Sequence, residues 1–344
     1  MKIFLSFIFS LSLLSIVAQE DSVQSIMMRG IDYHENGQYD LSLIEYQKAL
    51  NLEPKNAFVN YEVALSHYYM GNKTRAEKFA KVASKEASEN GLQAMVLLGA
   101  IYDERGEHKK SIKTYREGLK TFGDYYLIWY NLGVTANTIK DFELAEEAFL
   151  NSINNKLDNA SSHYAMASIM MQQNRRVEAI YPLYFFLMLE SDSDRSEMAY
   201  TDILNLMQRG VQTSRDEEGK MVIQLQVLNP ENQEDMMGSG DFYLSMLQAA
   251  ATTSEGEEKT PFQIFSDNSH DFFEYMARQD AGDREDFYTT YYIPLFNEIA
   301  QSKHFETFMH YISQSAYPEN KTWVMSHTKE LGEFFDWLDL LDLE

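Results

Sequence analysis

Apolar residues recur at helical spacing along residues 23–193, in paired segments joined by short polar turns. The stretch from Ser22 to Asn56 sets the pattern. Its two apolar-periodic segments meet at a tight Asn36–Gly37 turn, and Pro54 stops the second, which reads Leu41-Ser-Leu-Ile-Glu-Tyr-Gln-Lys-Ala-Leu-Asn-Leu. Moving forward by about 34 residues brings the same arrangement back repeatedly, which predicts a row of helical hairpins.

Aligned on the small residue at the eighth position, five copies emerge. The first, 23–56, carries Gly30, Tyr33, Gly37, Ser42, Tyr46, Ala49 and Pro54. The second, 57–90, has Ala64, Gly71, Ala76, Ala80 and Ala83; the third, 92–125, has Gly99, Tyr102, Gly106, Ser111, Tyr115 and Gly118. The fourth, 126–159, shows Trp129, Leu132, Gly133, Ala145, Phe149 and Ser152. The fifth, 160–193, keeps Tyr164, Ala167, Ala179 and Leu183 and is the most degenerate. These residues resemble the tetratricopeptide repeat family over about half the chain. Small residues at the eighth and twentieth positions let two helices approach, large ones at the fourth, eleventh and twenty-fourth fill the space between, and Gly at the fifteenth takes the turn. Each hairpin leaves an apolar face open, so hairpins must stack and the last needs a cap. Residues 194–209 supply a capping helix, with Met198, Ile203, Leu204 and Met207 at helical spacing. Pro182 falls inside the second helix of the fifth copy, which predicts a late start near Ala179 or a kink.

From Gly210 the period is lost. Val211–Ser214, the turn Asp216-Glu-Glu-Gly-Lys and Met221–Val227 predict a β-hairpin, with Ile223, Leu225 and Val227 on one buried face. Residues 229–239 read as a loop, 241–251 as a helix and 252–259 as an acidic loop. Helices are expected roughly at 261–280, 283–301, 303–315 and 319–341, with Pro294 marking a break. The aromatic runs at 287–296 and 305–311 should build the core of a compact helical domain, or its dock onto the last repeat.

Charge narrows the partners. The 344 residues carry a formal net charge of -24. Residues 19–209 hold 20 Lys and Arg against 27 Asp and Glu, whereas 210–344 hold 8 against 26. Such acidity repels phosphate backbones and disfavours nucleic acid. Residues 1–18 resemble a secretory signal, with Lys2 before an apolar run and Ala18 as the cleavage residue, so the mature chain should be exported to the periplasm or secreted in soluble form. The run is short for a membrane span, an uncleaved anchor being the alternative, and no later stretch approaches spanning length. Without cysteine there is no disulfide, thiol catalysis or acylated cysteine.

Little chemistry stands out. His304 and His310 lie six apart on one predicted helix, and His34 and His67 fall in separate repeats, so no metal-ligand spacing results. No phosphate-cradling glycine loop, Gly-x-Ser-x-Gly or calcium-loop spacing occurs, and Gly238-Ser-Gly240 reads as a helix-entry loop. Neither a cofactor nor a catalytic group is indicated. Asn72, Asn159 and Asn320 match glycosylation acceptors.

The resemblance is more informative about binding. It implies that the first helix of each repeat lines a concave groove, chiefly through its second, fifth, ninth, twelfth and thirteenth positions. Here these supply Met27, Ile31, His34, Phe58, Tyr61, Leu65, Tyr68, Tyr69, Tyr130, Val134, Tyr164 and Met171. Relatives of the chaperone-binding kind use Lys and Asn there to clamp a carboxylate; Met27 and Ile31 occupy the first two such places. The trough instead suits an extended or helical peptide with hydrophobic anchors. The fold expected is mainly all-α: a tetratricopeptide superhelix over 23–193, its cap, and a mostly helical acidic domain over 210–344 with a small β-hairpin. The function expected is an exported, non-enzymatic scaffold for a protein or peptide. Two alternatives remain: an enzyme or enzyme subunit with its site in 210–344, and a structural protein whose groove its own tail fills.

Overall fold

A computed structural model describes residues 22–218, 221–225, 235–252 and 259–341. The leader at 1–18 and Val227 lie outside them. Helices dominate, and the chain divides into two compact units between Ile101 and Tyr102, within α5.

The first unit holds α1 (Val23–Glu35), α2 (Tyr39–Leu52), α3 (Ala57–Tyr69), α4 (Lys73–Ala83) and most of α5 (Glu89–Glu104). Ser22 and Asn56 cap α1 and α3 by accepting the amide hydrogens of Ser25 and Val59. The buried core joins Ile26, Tyr46, Ala49, Leu50, Val59 and Val63. Its tightest point is Gly30, where an added Cβ would lie 2.3 Å from the Tyr46 ring. Any side chain there would force α1 and α2 apart.

In the second unit follow α6 (His108–Phe122), α7 (Tyr126–Thr138), α8 (Phe142–Asn155), α9 (Ala160–Gln172), α10 (Arg176–Leu189) and the cap α11 (Asp194–Gln208). Gly133 lies against Phe149 as Gly30 lies against Tyr46. The turn inside each hairpin also repeats. Its left-handed residue is Gly37, Gly71 and Gly106, and then Lys140 and Asn174 with φ of 59° and 58°. The fourth and fifth copies thus keep the backbone of the repeat after losing its glycine. Packing of the helices on either side holds a conformation that a side chain disfavours.

Helix α10 begins at Arg176, not near Ala179, and runs to Leu189 with Pro182 inside it. Proline cannot donate to the carbonyl of Glu178, but the Tyr288 hydroxyl does, at 3.1 Å. Residues 176–188 are all buried. What buries them is the C-terminal part: α12 (Met236–Ala251), α13 (Pro261–Ala277), a π-helical turn (Tyr288–Tyr292), α14 (Ile293–Gln301) and α15 (Phe305–Ile312). Tyr181 meets Phe272, Phe273, Tyr292 and Phe296; Tyr184 meets Phe265, Phe273, Phe296 and Phe308. The aromatic runs therefore build a helical core around the last repeat.

Several local expectations change. β1 (Val211–Arg215) and β2 (Met221–Leu225) pair antiparallel, Val211 opposite Leu225, but Leu225 is exposed and Ile223 only half-buried, so no face of the hairpin is sealed. α12 starts at Met236, because Asp235 accepts the Gly238 amide hydrogen at 2.7 Å. Gly238–Gly240 is consequently its first turn rather than a loop, and Gly240 abuts Met276. The helix expected over 319–341 is two, α16 (Pro318–Ser326) and α17 (Thr328–Leu338), parted at His327, whose ring stacks on Trp323 at 4.0 Å. Pro294 does not break the chain's helical course: it is the second residue of α14, which continues directly from the π-helical turn. Asn320 is buried, contacting His310 Nδ1 and donating to Ser313, so it cannot carry a glycan in the folded chain.

Candidate functional site

On α1, Met27, Ile31 and His34 follow one another at i, i+4 and i+7; on α3, Tyr61, Leu65, Tyr68 and Tyr69 do the same. The two helices are linked where His34 Nδ1 meets the Ser66 hydroxyl at 2.8 Å, and Ser66 in turn meets Ser42. Unlike the two serines, Met27, Ile31, His34, Tyr61, Leu65, Tyr68 and Tyr69 are not fully buried. Met27 and Phe58 pack their inner sides on the core cluster. Tyr69, at 57% exposure, stacks on Tyr39 with rings 5.6 Å apart, and His34 stands edge-on to both. Burial lowers the His34 imidazole from its ordinary value, which keeps it neutral.

Two carboxylates belong to this face and were not picked out from the sequence. Glu62, half-buried beside Tyr61, accepts the Tyr46 hydroxyl at 3.3 Å. Burial raises its pKa, and the nearby Glu35 raises it further. Tyr61 is pushed up to about 12 by burial and by Glu62. Position six of the repeat, one residue past a groove tyrosine, was the available signal.

In the second unit Tyr130, Val134, Tyr164 and Met171, expected from the sequence to line the groove, are half-buried. Tyr130 leans on Phe149 and Tyr164 on Phe186. Arg195 of α11 lies over the Phe186 ring, donates to Ser161 and is paired with Glu190. This part of the face thus has an internal cation with its own counter-ion.

The fourth hairpin repeats the glycine–aromatic contact of the first, the fourth and fifth both keep its left-handed turn, and the tetratricopeptide repeat profile matches 23–56, 92–123 and 126–159. The N-terminal half is a tetratricopeptide-repeat array. Among solved structures, the array is similar to MamA (18% identity over 47% of this chain and 94% of that one, TM-score 0.42). It is similar also to TTC0263 of Thermus thermophilus (18%, 53% and 100%, 0.44) and pilF of Pseudomonas aeruginosa (16%, 54% and 88%, 0.47). No curated protein matches the sequence.

Where the last repeat meets the C-terminal part, buried polar groups serve structure. Arg176 donates to the carbonyls of Leu206, Met207 and Asp241, and to Asp241 Oδ1 and Ser245, which finishes the C-terminal end of α11. The cavity at that cluster measures about 10 Å³, too small for a substrate. His163 is buried with Nδ1 2.6 Å from the Tyr292 hydroxyl and Nε2 2.7 Å from the Leu157 carbonyl. That geometry is of a neutral ring donating from Nε2 and accepting at Nδ1, and burial pushes it down to about 4. A larger cleft of about 580 Å³ lies between Phe185, Met188, Tyr291, Leu295 and Leu338, mostly apolar with Asp158 and Asp339 also lining it. Among the described residues no group of three potential ligands converges on a metal position, and no helix is long and apolar enough to cross a membrane.

Proposed function

We propose that this chain is a non-enzymatic interaction scaffold, exported behind its leader, that receives a protein or peptide on the first-helix faces of its repeats. The observation that supports this most is the stacked Tyr39–Tyr69 pair with His34, aromatic surface left half open where an all-structural helix would be sealed. Aromatic residues bury large area at low entropic cost and serve as anchors for an apolar peptide. The Arg176 and His163 side chains make their hydrogen bonds within the fold, and the cavity beside Arg176 measures only about 10 Å³. Replacing Tyr61 and Tyr130 together by alanine should abolish capture of the partner that the wild-type chain retains, each anchor being worth about 2 kcal/mol. A double variant that folds and still retains every partner would refute the groove. One that unfolds would make both tyrosines structural. Export is tested by terminal sequencing of the mature protein, where Gln19 should come first and Met1 should be absent.

A further inference from the structure

Resting on that reading of the repeat face, we infer that the partner of the first unit is basic as well as apolar: a peptide presenting a lysine or arginine beside its hydrophobic anchors, with the cation seated on Glu62 and Glu35. The face supplies shape and charge together. Tyr61, Leu65, Tyr68 and Tyr69 form one stripe of α3, Ile31 and His34 the adjoining stripe of α1, and Glu62, half-buried, follows Tyr61 directly on α3. Its carboxylate takes a single hydrogen bond, from Tyr46, and retains acceptor capacity.

The charge of Glu62 is not balanced internally. Among the described residues it has no lysine or arginine as salt-bridge partner, and the charged neighbour that acts on it is another carboxylate, Glu35, exposed at the end of α1. Two cations of this unit, Arg29 and Lys48, both bind Glu45 instead. A half-buried carboxylate without a counter-ion is costly in the free protein, and an incoming cation relieves that cost. Guanidinium or ammonium groups gain further from the aromatic faces of Tyr61 and Tyr69. The second unit makes the contrast, since there Arg195 already neutralises Glu190 beside Tyr164. An acidic or neutral peptide fits the first unit poorly, because it would leave Glu62 desolvated and unpaired.

The test is selection from a random-peptide phage library on the full chain, in parallel with the Glu62→Gln and Glu35→Gln variants. Glutamine keeps an acceptor for the Tyr46 hydroxyl, and circular dichroism checks the fold. Glu35 is exposed, so its variant reports on the charge even if Glu62→Gln fails to fold. The wild-type chain should enrich peptides with a lysine or arginine next to aromatic or aliphatic residues. Their affinity should fall about tenfold for Glu62→Gln and less for Glu35→Gln, as expected for loss of a charge-assisted contact. Enriched peptides that lack basic residues, or that bind both variants as well as wild type, would overturn the inference while leaving the peptide groove standing. Failure to enrich any peptide, or binding unaffected by Tyr61→Ala, would remove both.

Discussion

Helices α4 and α10 are each the second helix of a repeat, and they could hardly differ more. In α4, Ala76, Ala80 and Ala83 are buried, while Thr74, Arg75, Lys78 and Lys81 are exposed. In α10 the stretch from Arg176 to Met188 is buried all round. The same backbone hairpin, with the same left-handed turn before it, serves once as an outer wall and once as the axis of a second core. A helix apolar on every side is a helix covered on every side. The fifth copy thus carries a second packing task besides that of a repeat.

Position twenty-two of the repeat puts this to the hardest test, since it is Lys78 in α4 and Tyr181 in α10. Tyr181→Ala should cost about 3–5 kcal/mol, by opening a cavity among Phe272, Phe273 and Phe296. Lys78→Ala should stay within about 0.5 kcal/mol. Denaturant unfolding of both variants measures the difference, and equal losses would erase the distinction between wall and axis.

Acid acts on the fifth hairpin through a buried histidine. His163 has its folded-state pKa depressed to about 4, so between there and the unfolded value near 6.5 the unfolded chain binds the extra proton. Stability from this group is complete above about pH 6.5 and declines as pH falls toward 4, by on the order of 3 kcal/mol. Thermal unfolding followed across that range should show the decline, and His163→Gln should flatten it. An unchanged slope in the variant would mean that other groups govern acid lability.

Glycine tests what the hairpins share. Gly30→Leu and Gly133→Leu should each destabilise by about 1–3 kcal/mol or more, through overpacking against Tyr46 and Phe149 respectively. Unchanged melting in both would contradict the tight crossing. The smallest effect belongs again to Tyr181, whose hydroxyl is buried without a hydrogen-bond partner. Tyr181→Phe should leave the melting temperature equal or slightly raised, because it removes an unsatisfied polar atom without altering shape. A clear loss would reveal a hydrogen bond to water in that core.

Much of this molecule is legible in its residues. The 34-residue period placed the helices of the array, and a helix runs over Asp194–Gln208, opened by a Ser193 capping box, where one was expected over 194–209. Helix boundaries follow from local chemistry, in caps, glycine turns and the i, i+4 spacing of apolar residues, all of which act within a few positions of one another. Even the burial of α10 had a signal, since Ile180-Tyr-Pro-Leu-Tyr-Phe-Phe leaves no polar side. What covers it is a different matter. That Tyr288 answers the carbonyl freed by Pro182 across 110 positions, or that Tyr292 meets His163 across 129, depends on contacts that no local pattern encodes. The same holds for the face of the first unit. The tyrosines of α3 announce themselves by spacing, but Glu62 gains its character from Tyr46 and Glu35, sixteen and twenty-seven positions away. Burial and electrostatic neighbourhood are properties of distance in space, and only the tertiary fold sets those distances.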